Sequence, residues 1–400
     1  MAGDVDRSHP VVLGEPGRRP GSTQPGALEF RARKRFGSPG APGFLLDVDF
    51  SAPPGITILF GPSGAGKTSV LDAVAGLTTP DEGRIAIGAR VFFDSSAGVS
   101  TPVAERSIGY VFQDLALFPH LTVEENIHYG IATLDAAERR RRASAVLESF
   151  RIAHLANRRP GAISGGERQR VAVGRALVTE PCVLLMDEPL SGLDFAVKSQ
   201  IIEDLRAWNA RRAVPVLYAT HDRGEVFALG ERVVFLEQGR IVAQGTPREV
   251  LEAPQRLVVA EASGFENIFG ATIAARHETQ GTMTCQLDGA ALQLEVPLTR
   301  HQPGERVRVA MRAGDILLAT APPSYISARN ILASRIRSLE QVDVTIVARV
   351  ESSGAEFTIH LTAGARESLK LETGKEVWLV IKTYSCHLVR CDNILDSLKR

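Results

Sequence analysis

The chain changes its apolar rhythm several times, and each change marks a new element. Phe44-Leu-Leu-Asp-Val-Asp-Phe50 alternates apolar and polar residues, the period of a half-buried strand. Gly55-Ile-Thr-Ile-Leu-Phe60 is instead a short apolar run before a glycine turn, as in a buried strand. Between about residues 122 and 160 the period lengthens to that of a helix. Val146, Leu147 and Phe150 share one face there, while Glu138 and the run Arg139 to Arg142 lie elsewhere. The basic run reads as a docking patch or as a solvated helix face, the second being its commoner fate. Helix and strand signals alternate to about residue 253, the pattern of an α/β domain. Beyond Pro254, Thr/Val/Ile/Leu runs broken by Gly, Pro and Asn predict two small β segments, about 265–320 and about 325–390. Residues 1–27 are rich in Pro, Gly, Arg and Ser and predict a disordered extension, because they cannot bury enough apolar surface to offset their ordering entropy. No internal repeat of solenoid length is present.

Composition narrows the class. The chain has 400 residues, enough for two or three domains, and its 46 basic and 46 acidic residues give a formal net charge of zero. That balance argues against an electrostatically driven nucleic-acid binder. No stretch approaches the roughly 18–20 uninterrupted apolar residues of a membrane-spanning helix. The four cysteines, Cys182, Cys285, Cys386 and Cys391, are too scattered for a disulfide scaffold, and no His/Cys set at metal spacing flanks the last two. Reduced thiols in a cytosolic protein are the expectation. The N-terminal stretch lacks an apolar core of the secretory kind.

The chemistry lies in a few loops. Gly61, Pro62, Ser63, Gly64, Ala65, Gly66, Lys67 and Thr68 fit the phosphate-binding loop G-x-x-x-x-G-K-[ST], between an apolar strand and a helix starting near Ser69. Glycines let the backbone wrap phosphate oxygens, Lys67 reaches the β- and γ-phosphates, and the Thr68 hydroxyl suits Mg²⁺. Val183-Leu-Leu-Met186 is an apolar strand ending in Asp187 and Glu188. Asp187 would hold Mg²⁺ and Glu188 would polarise the attacking water, since phosphoryl transfer needs mainly positioning and charge stabilisation. Ser164-Gly165-Gly166-Glu167 opens a helical stretch, a second preformed anion site, while Gln113 and His221 each follow a strand. Taken singly, these three are as readily a helix cap, a surface amide and a satisfied polar group.

The order P-loop, Gln113, Ser164-Gly165-Gly166, Asp187-Glu188, Asp194, His221 resembles the nucleotide-binding subunit of ATP-binding cassette (ABC) transporters over residues 28–253. The signature, usually Leu-Ser-Gly-Gly-Gln, is Ile163-Ser-Gly-Gly-Glu167 here. The resemblance implies an α/β P-loop NTPase cassette with a helical subdomain, in which two copies sandwich two ATP molecules head to tail. Ser164, Gly165, Gly166 and Glu167 would then meet the γ-phosphate held by the opposite copy, with Asp194 at the seam. Gln113 would touch the Mg²⁺ site and couple it to the membrane partner, and His221 would grip the γ-phosphate. Phe36, or alternatively Phe30, would stack on adenine.

A narrower resemblance is to the ATPases of molybdate importers, through Arg90-Val-Phe-Phe-Asp94 and Arg106 to His120. Residues 254–323 would be a linker and small β region, 324–392 an all-β, OB-like TOBE/Mop barrel, and 393–400 a tail. In such barrels two turns cradle an oxyanion, here matched by Ser327, Ala328, Arg329, Lys382 and Ser385. Departures at Ala333-Ser334 and Thr383-Tyr384 leave two readings, a regulatory oxyanion site or a barrel that is structural only. The implied assembly has two ATPase subunits, two transmembrane permeases and, indirectly, an extracytoplasmic solute-binding protein, with the ATPase peripheral on the cytoplasmic face. Import of sulfate, ferric iron, a polyamine or a sugar is the alternative. An ABC ATPase of DNA repair or translation would need coiled-coil inserts or tandem cassettes, and a pure oxyanion sensor would not hydrolyse ATP.

Overall fold

The computed structural model describes residues 26–37 and 43–389. Residues 1–25 of the expected extension, the tail, most of the Ser38–Gly43 insert and Cys391 lie outside them, while Ala27 is already buried. The chain forms two compact units that meet in sequence at Val250/Leu251.

The first unit is built on a mixed sheet, which among the described residues has eleven strands. Its antiparallel wing includes β1 (Leu28–Phe36), β2 (Phe44–Ala52), β4 (Glu82–Ile87) and β5 (Arg90–Asp94). Its parallel half places β3 (Gly55–Phe60) between β10 (Arg232–Glu237) and β9 (Pro215–Thr220), followed by β8 (Val183–Asp187) and β7 (Ile108–Val111). β8 and β9 are buried along their whole length, as strands covered on both faces are. The register aligns Phe60 with Thr220, Ala219 with Asp187, and Met186 with Val111. The loops that follow these strands therefore emerge side by side at the carboxyl edge, where open α/β sheets bind ligands.

Helix α1 (Lys67–Ala75) leaves β3 and packs on the sheet through Val70, Leu71 and Val74. Helices α2 (Val123–Tyr129), α3 (Ala136–Ser149) and α4 (Gly165–Leu177) pack together, and α4 joins them to the sheet at β7. On α3 the face expected from the sequence is buried at Leu147 and continues into Phe150, with Val146 half-buried. The basic run on that helix is satisfied within the chain: Arg141 and Arg142 pair with Glu138, Arg142 also with Glu180, and Arg139 and Arg140 donate to backbone carbonyls. Helices α5 (Phe195–Arg212) and α6 (Arg223–Leu229) follow β8 and β9.

The second unit is all-β apart from short helices. The two expected β segments do not close separately. β16 (Leu317–Ala319), from the first segment, pairs with β20 (Glu376–Ile381) of the second, and β21 (His387–Val389) crosses back to β15 (Arg306–Met311). The result, among the described residues, is two five-stranded antiparallel sheets sharing one apolar core that runs from Ile273 and Val309 to Phe357 and Leu379. One device ties the sheets twice. Asn267 exchanges two hydrogen bonds with the Thr358 backbone, and Asn330 exchanges two with the Glu295 backbone. Among the described residues no helix is long and apolar enough to cross a membrane.

Candidate functional site

A cavity of about 330 Å³ opens at the carboxyl edge of the first unit, lined by Ser63, Gly64, Gly66, Lys67, Thr68, Ser69, Gln113, Asp187, Glu188 and Phe44. The loop from Gly61 to Gly66 wraps its floor because glycine is required at two points. A Cβ on Gly61 would lie 2.1 Å from the Leu236 carbonyl oxygen, and Gly66 has φ 104° with the Phe44 ring 2.9 Å from where its Cβ would be. Gly66 is also the N-cap of α1 and offers no side chain to it, so the first N–H groups of the helix stay available for an anion.

Lys67 is buried and folded back on its own loop, donating to the Gly61 and Pro62 carbonyls at 2.8 and 3.1 Å. Burial lowers its pKa, opposed by Glu188, 3.9 Å away, and by Asp187. Burial likewise raises the Asp187 pKa, against a hydrogen bond from the Thr68 hydroxyl. A phosphate at the loop would take over the lysine's carbonyl contacts, and a cation would relieve Asp187. The donors around that carboxylate, the Thr68 hydroxyl and the Gln113 amide, are hard oxygen ligands of the kind Mg²⁺ takes together with substrate phosphates.

Glu188 stands at φ 43°, in the left-handed region that non-glycine residues rarely occupy, and its backbone is pinned by an N–H···O bond to Ala219. Its carboxylate lies 3.0 Å from Nδ1 of His221 at the end of β9. A carboxylate accepts, so Nδ1 carries the hydrogen of this bond and Nε2 is left for another partner. The strand register thus brings P-loop, His221, Asp187-Glu188 and Gln113 together.

The signature lies apart from this cavity. Ser164 caps α4 in a capping box: its Oγ accepts the Glu167 N–H, and the Glu167 carboxylate accepts the Ser164 N–H at 2.7 Å, which holds the Glu167 pKa below the usual range. Ser164 is exposed, and both its N–H and its hydroxyl bond the Glu167 carboxylate, which is engaged in the cap. Gly165 and Gly166 begin the helix, Gly166 backed closely by Val197 of α5. Asp194, exposed, caps α5 through the Val197 N–H.

Several residues were not legible in the sequence as site residues. The aromatic in the cavity wall is Phe44. Phe36 is not among the lining residues and packs on Phe44 with ring centroids 5.8 Å apart, while Phe30 is fully buried against Phe50. The Tyr110 hydroxyl donates to Asp72 at 3.0 Å, tying α1 to β7. Arg175 of α4 donates to the carbonyls of Leu115 and Ala116, both at positive φ just after Gln113. Beside Gln113 a second cavity of about 450 Å³ is lined by Leu115, Leu117, Pro160 and Arg168.

In the second unit, the pairing of Asn330 with Ile381 sets the turns 327–329 and 382–385 next to each other at one end of a sheet. Ser327, Arg329 and Lys382 are exposed there, Ser385 is half-buried and Ala328 is buried, with Tyr325 and Tyr384 standing out into solvent. Ala333 and Ser334 are ordinary strand residues, Ser334 bonding the Leu332 carbonyl.

A family model described as ABC transporter matches residues 45–191, and a TOBE domain model matches residues 326–388. The chain is 37% identical over 359 residues to a protein named molybdenum import ATP-binding protein ModC of Paramagnetospirillum magneticum, covering 89% of this chain and 96% of that one. A protein of the same name from Mesorhizobium japonicum is 39% identical, covering 86% and 92%. A solved dimeric bacterial ABC transporter cassette matches 56% of this chain and 99% of its own at 27% identity, with a TM-score of 0.48. The chain belongs to the ATP-binding subunits of ABC transporters, in the family of the molybdenum import ATP-binding proteins.

Proposed function

We propose that this protein is the ATP-hydrolysing subunit of an importer for molybdate, with tungstate as the nearest competing solute. The observation that carries the ATPase reading is the cavity lined by P-loop, Asp187-Glu188 and Gln113, with His221 bonded to Glu188. The solute follows from relatives named for molybdenum import that match along almost their whole length, TOBE region included.

ATP enters with its phosphates on the loop from Gly61 to Gly66 and the N-terminus of α1, and Lys67 exchanges the Gly61 and Pro62 carbonyls for phosphate oxygens. Phe44, backed by Phe36, offers the ring face for adenine. Thr68 and Asp187, with Gln113, would hold Mg²⁺, which would supply neutralisation of the charge developing on the phosphates. Glu188 orients and deprotonates the attacking water, and His221, anchored through Nδ1 to Glu188, places its other nitrogen toward the γ-phosphate. The Ser164 hydroxyl and the N–H groups of Gly165 and Gly166 complete the site of a second copy, with Asp194 at the seam. The Glu167 carboxylate stays in its cap.

Two such subunits would work with two membrane permeases, peripherally on the cytoplasmic face. The cavity beside Gln113 would receive the permease, and a solute-binding protein would act outside. Residues 28–250 form the motor. The exposed Ser327, Arg329 and Lys382 with the half-buried Ser385, a set of guanidinium, ammonium and hydroxyl donors, would take an oxyanion and regulate the motor.

Uptake of labelled molybdate and sulfate into vesicles carrying the complete transporter tests the solute. ATP-dependent accumulation of molybdate over sulfate is expected, and the reverse preference would replace the solute while keeping the motor. Titrating the ATPase rate with molybdate tests the regulatory site. Inhibition lost in Arg329→Ala or Lys382→Ala is expected, and a flat response would leave that end of the sheet structural.

A further inference from the structure

The residues on both sides of His221 are tied into a buried polar network that the hydrolysis chemistry does not itself use. Thr220 donates its hydroxyl to Glu225 Oε2 at 2.8 Å and accepts the Asp222 N–H at 3.0 Å. Tyr218, fully buried on the same strand, donates to the same carboxylate oxygen at 2.9 Å. The other oxygen, Oε1, accepts from Lys198 Nζ at 2.9 Å, and the same ammonium donates to Asp222 Oδ2 at 2.8 Å. Asp222 in turn accepts the Gly224 and Glu225 N–H groups through Oδ1, capping α6.

Glu225 is only 4% exposed, so its charge depends on these three donors. Burial works against the charged Lys198, yet the hydrogen bonds to Asp222 and Glu225 hold its pKa above the usual value. Lys198 belongs to α5, with its N–H bonded to the Asp194 carbonyl at 3.0 Å. Its neighbour Val197 is the side chain that backs Gly166 of the signature, where an added Cβ would come within 2.5 Å. One ammonium thus joins the helix that starts at Asp194 and supports the signature to Asp222 directly and to Thr220 through Glu225, the two residues that flank His221.

We infer that Lys198 and Glu225 are positioning residues for His221, fixing the imidazole relative to the α5 helix that carries Asp194. This rests on the reading of His221 as the group that meets the γ-phosphate. Lys198 is not among the residues that line the cavity. Its effect is on where the ring sits when a second copy completes the site, and so on turnover and not on nucleotide capture. Arginine keeps the charge and can serve two carboxylates, whereas methionine keeps the stem and loses both bonds.

The test is steady-state ATP hydrolysis by the purified full-length chain with Mg²⁺, alongside binding of a fluorescent ATP analogue and thermal unfolding. For Lys198→Met, kcat should fall about tenfold or more, the cost of a displaced catalytic group, while KM for ATP and analogue affinity stay within about twofold. Lys198→Arg should recover most of the lost kcat, and Tyr218→Phe, which removes one donor only, should show a smaller loss in the same direction. Wild-type kcat in Lys198→Met would overturn the inference. So would kcat, analogue affinity and unfolding temperature all falling together without rescue by arginine, which would mark a role in folding alone. His221→Ala separates the premise: wild-type turnover there removes the role of His221 and the inference with it. Loss of turnover there beside an unimpaired Lys198→Met removes the inference alone.

Discussion

Two helices of the first unit begin at glycine-containing stretches, and their N-termini are finished differently. Helix α1 starts at Gly66, in the left-handed region, with no side-chain cap, and its lysine is parked on loop carbonyls. Helix α4 starts at Ser164 with a complete capping box. An uncapped N-terminus leaves orphan N–H groups that a ligand must satisfy, while a boxed one is stable by itself. The first is built to be completed by ATP held within its own unit. The second is built to stand alone and present an exposed hydroxyl to something outside. That difference is what a nucleotide shared between two copies requires.

The largest effects should come from the P-loop side. Glu188→Gln should lower turnover by about a hundredfold or more while leaving ATP binding intact, checked by phosphate release beside nucleotide titration. Wild-type-like hydrolysis would remove Glu188 as the base. Gly66→Ala should abolish nucleotide binding, because its Cβ would meet the Phe44 ring 2.9 Å away at φ 104°. Unimpaired affinity in that variant would show the loop to be softer than its geometry. Lys67→Ala should weaken ATP binding by about 1.5–3 kcal/mol, the worth of a charge-assisted contact.

On the signature side the effects should be smaller and of another kind. Ser164→Ala should leave ATP binding by the isolated subunit unchanged and cost about 1 kcal/mol of stability through loss of the cap, while lowering turnover of the dimer. Glu167→Gln should change turnover least, because the carboxylate is spent on the cap. Its folded pKa is depressed, so its stabilisation is present above the ordinary carboxylate pKa and lost as pH falls through the lower folded value. Urea unfolding at neutral and acid pH should therefore show a modest deficit of Glu167→Gln at neutral pH that closes on acidification.

Much of this was legible because it is local. The P-loop between strand and helix, the apolar run into Asp187-Glu188 and the Ser164-Gly-Gly helix start each occupy a few consecutive residues whose chemistry and spacing travel together. What escaped depends on partners far apart in sequence. Phe44 enters the cavity because β2 passes beside the loop at Gly66, which no spacing encodes. Asp72 and Tyr110 meet across α1 and β7, and Arg175 finds carbonyls about sixty residues upstream. The β segments after Pro254 were visible from composition and turn residues. Their exchange of β16 and β21 was not, because strand registry across two similar halves is settled by packing and not by pattern.

On the proposed mechanism, ATP bound at one copy's P-loop is completed by the signature of another. The most direct test is the solution mass of Glu188→Gln, with and without ATP, measured by light scattering. Conversion from monomer to dimer on adding ATP, abolished when Ser164 is also changed to Arg, is the predicted result. A mass unchanged by ATP, at concentrations where the nucleotide is bound, would contradict the account.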